Sequence, residues 1–245
     1  MSELIDQLKQ QAHLWQGREQ VAPGRQGIAT GYPELDRQLS GQGWPRGALT
    51  EILLAGPGIG ELRLVVPMLQ QLTESGQTVV WISPPYTPYA PALARAGIVL
   101  DNLVVVRCQD AKDQLWSLEQ ALRNPACALV MGWPTQLRQA DTRRLQLAAE
   151  AGGGTGILFR SAANSLNSSP AHLRLLLSAA AGSLHVELLK QRGSFAQASL
   201  TLPLGTLETL VEPDQASVSN IIQGPWQTGK PLAGSNPSHS SPSAT

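Results

Sequence analysis

Leu49-Thr50-Glu51-Ile52-Leu53-Leu54-Ala55-Gly56-Pro57-Gly58-Ile59-Gly60-Glu61-Leu62-Arg63 passes from an apolar, strand-like run through a glycine turn into a helix-like run. The same rhythm continues downstream. Strands are expected at Leu49–Leu54, Thr78–Ile82, Leu103–Arg107, Cys127–Met131 and Gly156–Phe159, with helices near 61–75, 88–96, 111–123 and 139–150. The strand runs are continuously apolar rather than alternating, the pattern of strands covered on both faces. Strands and helices in this order predict an α/β fold with a mostly parallel central sheet and helices on both faces, three layers in all. Pro67 is expected to kink or restart the first of these helices. A last helix is expected over Ala171–Ala180, capped near Ser168–Ser169, followed by a C-terminal β-hairpin of Leu184–Lys190 and Ala196–Leu202.

Composition narrows the function classes. The chain has 245 residues, 42% of them hydrophobic and only 15% charged, enough to bury a sizeable core. Lys+Arg and Asp+Glu number 18 each, so no global cationic field holds nucleic acid nonspecifically, although a local patch is allowed. Cys108 and Cys127 are the two cysteines, too few for a disulfide framework or a thiolate zinc site, and both lie in apolar runs that suit buried small side chains. No stretch approaches the roughly 18 apolar residues of a membrane span, and the N-terminus lacks an apolar signal core. The expected location is the cytoplasm.

The glycine turn stands where an α/β protein places a phosphate loop, and its residues are wrong for one. Such a loop reads G-x-x-x-x-G-K-[ST]: its backbone N–H groups cradle phosphate, its Lys neutralises it and its hydroxyl binds magnesium. With Gly60 as the last glycine, Glu61 takes the Lys position, Leu62 the hydroxyl position and Ala55 the first glycine position; Gly56 and Gly58 remain. A unit charge at about 4 Å is worth about 4 kcal/mol at an effective dielectric near 20. Exchanging attraction for repulsion therefore moves the gross balance by roughly 8 kcal/mol, the scale of micromolar binding. No slip in register restores a lysine, because none lies between Lys9 and Lys112. The strand ends that would carry metal-side carboxylates read Gly132-Trp133-Pro134 and Ser83-Pro84-Pro85. The four histidines show no metal-ligand spacing, and no nucleophile elbow is present. Catalysis, cofactor and metal are all expected to be absent.

Thr30-Gly31, Leu35-Asp36 and Gly43-Trp44-Pro45-Arg46-Gly47-Ala48-Leu49-Thr50-Glu51-Ile52 resemble the lead-in of the RecA/RadA recombinase fold. Leu184–Lys190 with Gln191 and Arg192 resembles its C-terminal hairpin, whose basic residues lie at a subunit interface. Within that superfamily the chain is similar to the ImuA family. The phrases that carry this are Leu14-Trp15-Gln16-Gly17-Arg18, Gly58-Ile59-Gly60-Glu61-Leu62-Arg63-Leu64, Pro88-Tyr89-Ala90-Pro91-Ala92-Leu93 and Leu188-Leu189-Lys190 with Arg192-Gly193. From Gly47 to Arg160 the chain also resembles SulA, the SOS inhibitor of cell division that binds FtsZ.

The ImuA resemblance implies a RecA-like accessory protein of SOS-induced mutagenic translesion synthesis. Its implied partners are an ImuB-type protein, an error-prone DNA polymerase and RecA; the SulA alternative implies FtsZ. Three parts are expected: an amphipathic helix in 1–20, a RecA-like domain over 21–205, and a Ser/Pro/Gly-rich disordered tail over 206–245 holding an apolar island, Ile221, Ile222 and Trp226. Candidate partner contacts are Leu8, Trp15 and Arg18 in the first part and Lys190 and Arg192 at the hairpin. The basic segment Arg138, Arg143 and Arg144 is read as a solvated face or a binding patch.

Overall fold

The computed structural model describes residues 27–56, 58–193 and 198–203. The expected helix in 1–20 and the tail over 206–245 lie outside them. At the centre is β1 (Ala48–Leu54), in which every residue but the last is buried. Two strands flank it in parallel, β5 (Thr155–Ser161) and β6 (Leu173–Ala180), with Ile52 opposite both Phe159 and Leu175. The other strands are β2 (Thr78–Ile82), β3 (Leu103–Val106), β4 (Cys127–Gly132), β7 (Ser183–Gln191) and β8 (Ser199–Pro203). The sheet runs β3-β2-β4-β5-β1-β6-β7-β8. The pairings from β3 through β6 are parallel, and β6-β7-β8 is an antiparallel meander.

Five α-helices are described: α1 (Pro33–Gln38), α2 (Glu61–Glu74), α3 (Ala90–Arg95), α4 (Ala111–Arg123) and α5 (Gln139–Gly152). α2 packs Leu64, Val65, Met68, Leu69 and Leu72 onto one face of the sheet. α4 and α5 pack Leu118, Leu122, Leu145, Ala148 and Ala149 onto the other. α4 begins at Asp110, whose carboxylate accepts the Asp113 N–H at 2.8 Å. α5 begins with Asp141 accepting both the Arg138 N–H and its Nε–H, and stops at Gly153 in the left-handed region. This is the expected mixed α/β architecture.

Three local expectations fail, each for a physical reason. Residues 173–180 of the expected helix 171–180 form β6 instead. The Leu- and Ala-rich run has high helical propensity, but β1 has a second edge to be paired, and tertiary pairing overrides propensity. Leu173, Leu175 and Leu177 then fall on one face and are buried at 0–1% exposure, a period of two. α2 also runs unbroken through Pro67. Pro67 has no N–H for the Arg63 carbonyl, and the Tyr32 hydroxyl supplies a donor instead, at 3.1 Å. Lastly, β3 is an edge strand and is not covered on both faces: Val104 and Val105 remain 45% and 40% exposed.

Across the middle of the sheet runs a charged row absent from the expectations. Glu51 of β1 is fully buried. Its Oε1 accepts from Arg160 Nη1 of β5 at 2.7 Å, and its Oε2 from Arg174 Nε of β6 at 2.8 Å. The two guanidinium groups spend most of their other donors on the β5–β6 connection, while Arg160 Nε–H finds no partner among the described residues. Arg174 donates to the carbonyls of Asn164, Ser165 and Asn167, and Arg160 donates to Asn164 Oδ1 and the Leu137 carbonyl. One carboxylate thus fixes two strands and the link between them. Glu51→Gln should destabilise the fold by about 3–5 kcal/mol, because two desolvated cations lose their counter-charge. The apolar triple Glu51→Met, Arg160→Leu, Arg174→Leu should recover most of that loss. Urea denaturation of both variants is the check, and an unchanged midpoint for Glu51→Gln would refute the clamp.

Candidate functional site

The glycine turn joins β1 to α2 at the end of the sheet where open α/β proteins hold ligands. Gly58 and Gly60 have φ of 70° and 97°, a region in which glycine alone is unstrained, so the chain can turn sharply into the helix. Gly60 is the N-cap of α2 and supplies no side-chain cap. Glu61, half-buried, follows in the first turn. Its negative charge is favoured by the partial positive charge of the helix N-terminus, which is the charge a phosphate would use. Leu62 and Ile59 pack against the core under α2. A Cβ on Gly56 or Gly58 would meet nothing within 4 Å, so the turn lies open.

Apolar groups also occupy the neighbouring strand ends. Trp133, just after β4, stacks on Phe159 of β5 with ring centroids 5.0 Å apart and sets its edge against Trp81 of β2 at 5.7 Å. A Cβ on Gly132 would come within 2.5 Å of the buried Leu118, so a carboxylate there would have to displace core. β2 is followed by Ser83, whose φ of 49° is unusual for a residue with a side chain. The described residues hold no group of three His, Cys, Asp or Glu that could bind a metal.

The hairpin cations occupy the opposite end of β1. Lys190 is the cross-strand partner of Arg174, and its Nζ donates to the Ser169 carbonyl at 2.6 Å. That lysine is therefore committed to the fold. Arg192 is 71% exposed and lies 3.5 Å from Glu150 of α5. Of the basic segment on α5, Arg138 pairs with Asp141 and Arg144 with Glu119, while Arg143 is exposed beside Lys190 and Arg192. Leu8, Trp15 and Arg18 lie outside the described residues. Arg143 and His172 join Lys190 and Arg192 here, and sequence reasoning missed that grouping. The only local signal was a histidine immediately before a strand that had been read as a helix.

Burial, followed by the positive charges of Arg192 and Lys190, pushes the His172 imidazole below its ordinary value of 6.5, against an opposing pull from Glu150. Burial also lowers Lys190, reinforced by Arg174 and Arg192 and opposed by Glu51. A depressed His pKa means that the unfolded chain takes up the proton first on acidification. His172 therefore contributes stability that is present above 6.5 and lost as pH falls through its folded value. His172→Gln should flatten that part of the stability–pH curve while leaving the curve above pH 7.5 in place, and denaturant midpoints between about pH 5 and 8 test this. At the other end of β1, Glu61→Lys with Leu62→Thr should yield no nucleotide hydrolysis, because Gly132 and Trp133 still stand where a metal-side carboxylate is needed. Phosphate-release turnover by that double variant would show the stations to be misplaced.

Comparison with known proteins adds the lineage. The family model "Cell division inhibitor SulA" matches residues 47–156. A cell division inhibitor SulA from Edwardsiella piscicida is 32% identical over 97 residues, covering 40% of this chain and 58% of that protein. Protein ImuA from Caulobacter vibrioides is 31% identical over 137 residues, covering 54% of this chain and 56% of that protein. The chain thus spans a little over half the length of the curated relatives it matches. The crystal structure of SulA from Pseudomonas aeruginosa aligns with 46% of this chain and 97% of its own, at 25% identity and a TM-score of 0.40. Residues 47–156 are thus similar to SulA, and the matches to SulA and ImuA together support an ImuA/SulA-like family assignment.

Proposed function

We propose that the chain is a nonhydrolytic, RecA-like accessory protein of SOS-induced mutagenic translesion synthesis in the cytoplasm. It acts as an adaptor for an ImuB-type protein, an error-prone DNA polymerase and RecA. The observation that carries this reading is the ordered structure outside the SulA-like residues 47–156. Ile28 bridges Trp44 ahead of β1, and β6, β7 and β8 extend the sheet after it. Of these, Trp44 and β7 fall in the stretches whose sequence resembles the recombinase lead-in and hairpin. The similarity to ImuA also spans more residues than that to SulA, 137 against 97. With Glu61 at the helix N-terminus, the phosphate end of the scaffold binds no triphosphate, and the surfaces around it serve association and not turnover. We place partner contacts on the segment 1–20, through Leu8, Trp15 and Arg18, and at the end of β7, where Arg192 is the exposed group and Lys190 stands behind it. The RecA-like domain takes in 21–205, and the Ser/Pro/Gly-rich tail 206–245 lies beyond it.

A second reading, SulA-like inhibition of FtsZ, is favoured by the match of residues 47–156 to the SulA model. The two separate cleanly in one experiment. Full-length immobilised protein should capture an ImuB-type protein and leave FtsZ GTPase unchanged at equimolar ratio. The triple variant Leu8→Ala, Trp15→Ala, Arg18→Ala should reduce that capture at least tenfold with the melting temperature of the folded domain unaltered. Suppression of FtsZ GTPase at near-stoichiometric protein, with no ImuB capture, would reverse the assignment.

A further inference from the structure

α5 and the end of β7 enclose a groove of about 350 Å³, lined by Arg143, Lys190 and Arg192 with Leu147, Pro170 and Ala171. Gln146 and Glu150 complete the lining. Three cations thus face one carboxylate. Glu150 is shared between Arg192 at 3.5 Å and the Gln146 amide at 2.9 Å, and Arg143 makes no ion pair among the described residues. The C-terminal end of α5 contributes roughly half a negative charge, too little to neutralise the remainder. The cations also feel one another: Arg192 and Lys190 both act to lower His172, and Arg174 and Arg192 both act to lower Lys190. Behind Lys190 the row Arg160–Glu51–Arg174 holds two cations to one anion, so the sheet beneath adds one net positive charge of its own.

We propose that this groove binds a phosphoryl group. A carboxylate presents two oxygens in one plane and a single charge, which one arginine fork satisfies. Three cations arriving from a helix and a strand end surround a tetrahedral anion of higher charge, and arginine matches phosphate oxygens in paired contacts. Lys190, held by Ser169, is a fixed point charge at the back. Arg143 and Arg192 are exposed and close from the front. Leu147, Pro170 and Ala171 give an apolar wall against which the group carrying the phosphate packs. The site is separate from the glycine turn: the His172 N–H bonds the carbonyl of Leu49, near the start of β1, whereas the turn follows its last residue. It rests on the groove alone, so failure to capture an ImuB-type protein leaves it standing.

Two sources carry this chemistry, free inorganic phosphate and a terminal phosphate on a nucleic-acid strand. The full chain in a phosphate-free buffer is titrated with inorganic phosphate, with sodium chloride at matched ionic strength as the control, and followed by thermal denaturation and calorimetry. The expected result is saturable stabilisation with phosphate alone, weakened at least tenfold in Arg143→Ala/Arg192→Ala and reduced by added salt. Arg143→Ala breaks no hydrogen bond or ion pair among the described residues and carries the test if the double variant melts early. In a second arm, 5′-phosphorylated hexathymidylate is compared with its 5′-hydroxyl counterpart. Tighter binding of the phosphorylated strand, lost in the variant, would assign the site to a nucleic-acid end. Two outcomes overturn the proposal: no saturation by either phosphate source beyond the chloride control, or phosphate binding that ignores both variants; equal affinity for the two oligonucleotides, with saturable phosphate binding, assigns the site to free phosphate. A Glu-rich peptide that outcompetes phosphate would likewise replace it with an acidic protein partner.

Discussion

One buried carboxylate organises the centre of this protein. Glu51 is enclosed on β1 with a guanidinium from each neighbouring strand, and neither arginine reaches it unless β5 and β6 are both in register. Burying such charges carries a desolvation cost that their attraction offsets only with good geometry and satisfied donors. Here the remaining donors of Arg174 reach three backbone carbonyls of the β5–β6 connection. The clamp therefore selects one arrangement of a segment that has little else to hold it: Leu166 within it is 97% exposed. An apolar trio would pack as tightly, but it would specify neither the parallel register nor the path of that link.

Much of the α/β core was legible because its signals are local. The five strands from β1 to β5 and the helices between them follow from apolar runs and their punctuation, and α4 begins and ends where its pattern does, at Ala111 and Arg123. Residues 171–180 were not legible, because Leu-Arg-Leu-Leu-Leu-Ser-Ala-Ala suits a helix unless an open strand edge competes for it. That edge is supplied by β1, more than a hundred residues earlier. Pro67 misled in the same way. Its disruptive effect is real, but the compensating hydroxyl belongs to Tyr32, in another element. The exposure of β3 depends on its being last in the sheet order, which the run Leu-Val-Val-Val does not reveal.

The site divides along the same line. The glycine turn can be compared with a phosphate loop residue by residue, since cradle, cation and hydroxyl in such a loop are all sequence neighbours. The groove could not. Arg143, His172, Lys190 and Arg192 come from a helix, a loop end and a strand end, and they meet only because β6 pairs with β1 and β7 with β6. Once 171–180 is taken for a helix, His172 and Lys190 have no reason to be neighbours. An error in one element thus concealed a cluster, even though three of its four members, Arg143, Lys190 and Arg192, stand out in the sequence.

The two ends of β1 carry opposite electrostatics. In a nucleotide-binding α/β protein the anion site lies after the first strand, where a helix N-terminus and a lysine add their positive charges. Here Glu61 occupies that helix end, and the strand ends beside it are packed with Trp81, Trp133 and Phe159. Cations gather at the other end instead, around Lys190 and Arg192, where the C-terminus of α5 would itself prefer them. That preference explains how the fold tolerates the crowding, while the excess over Glu150 leaves charge unspent at the surface. On the proposed reading, anion affinity has moved from the position where phosphate would be cleaved to one where it can only be held. Binding at that end would then change how the surface associates without any turnover, which is the chemistry the proposed adaptor requires.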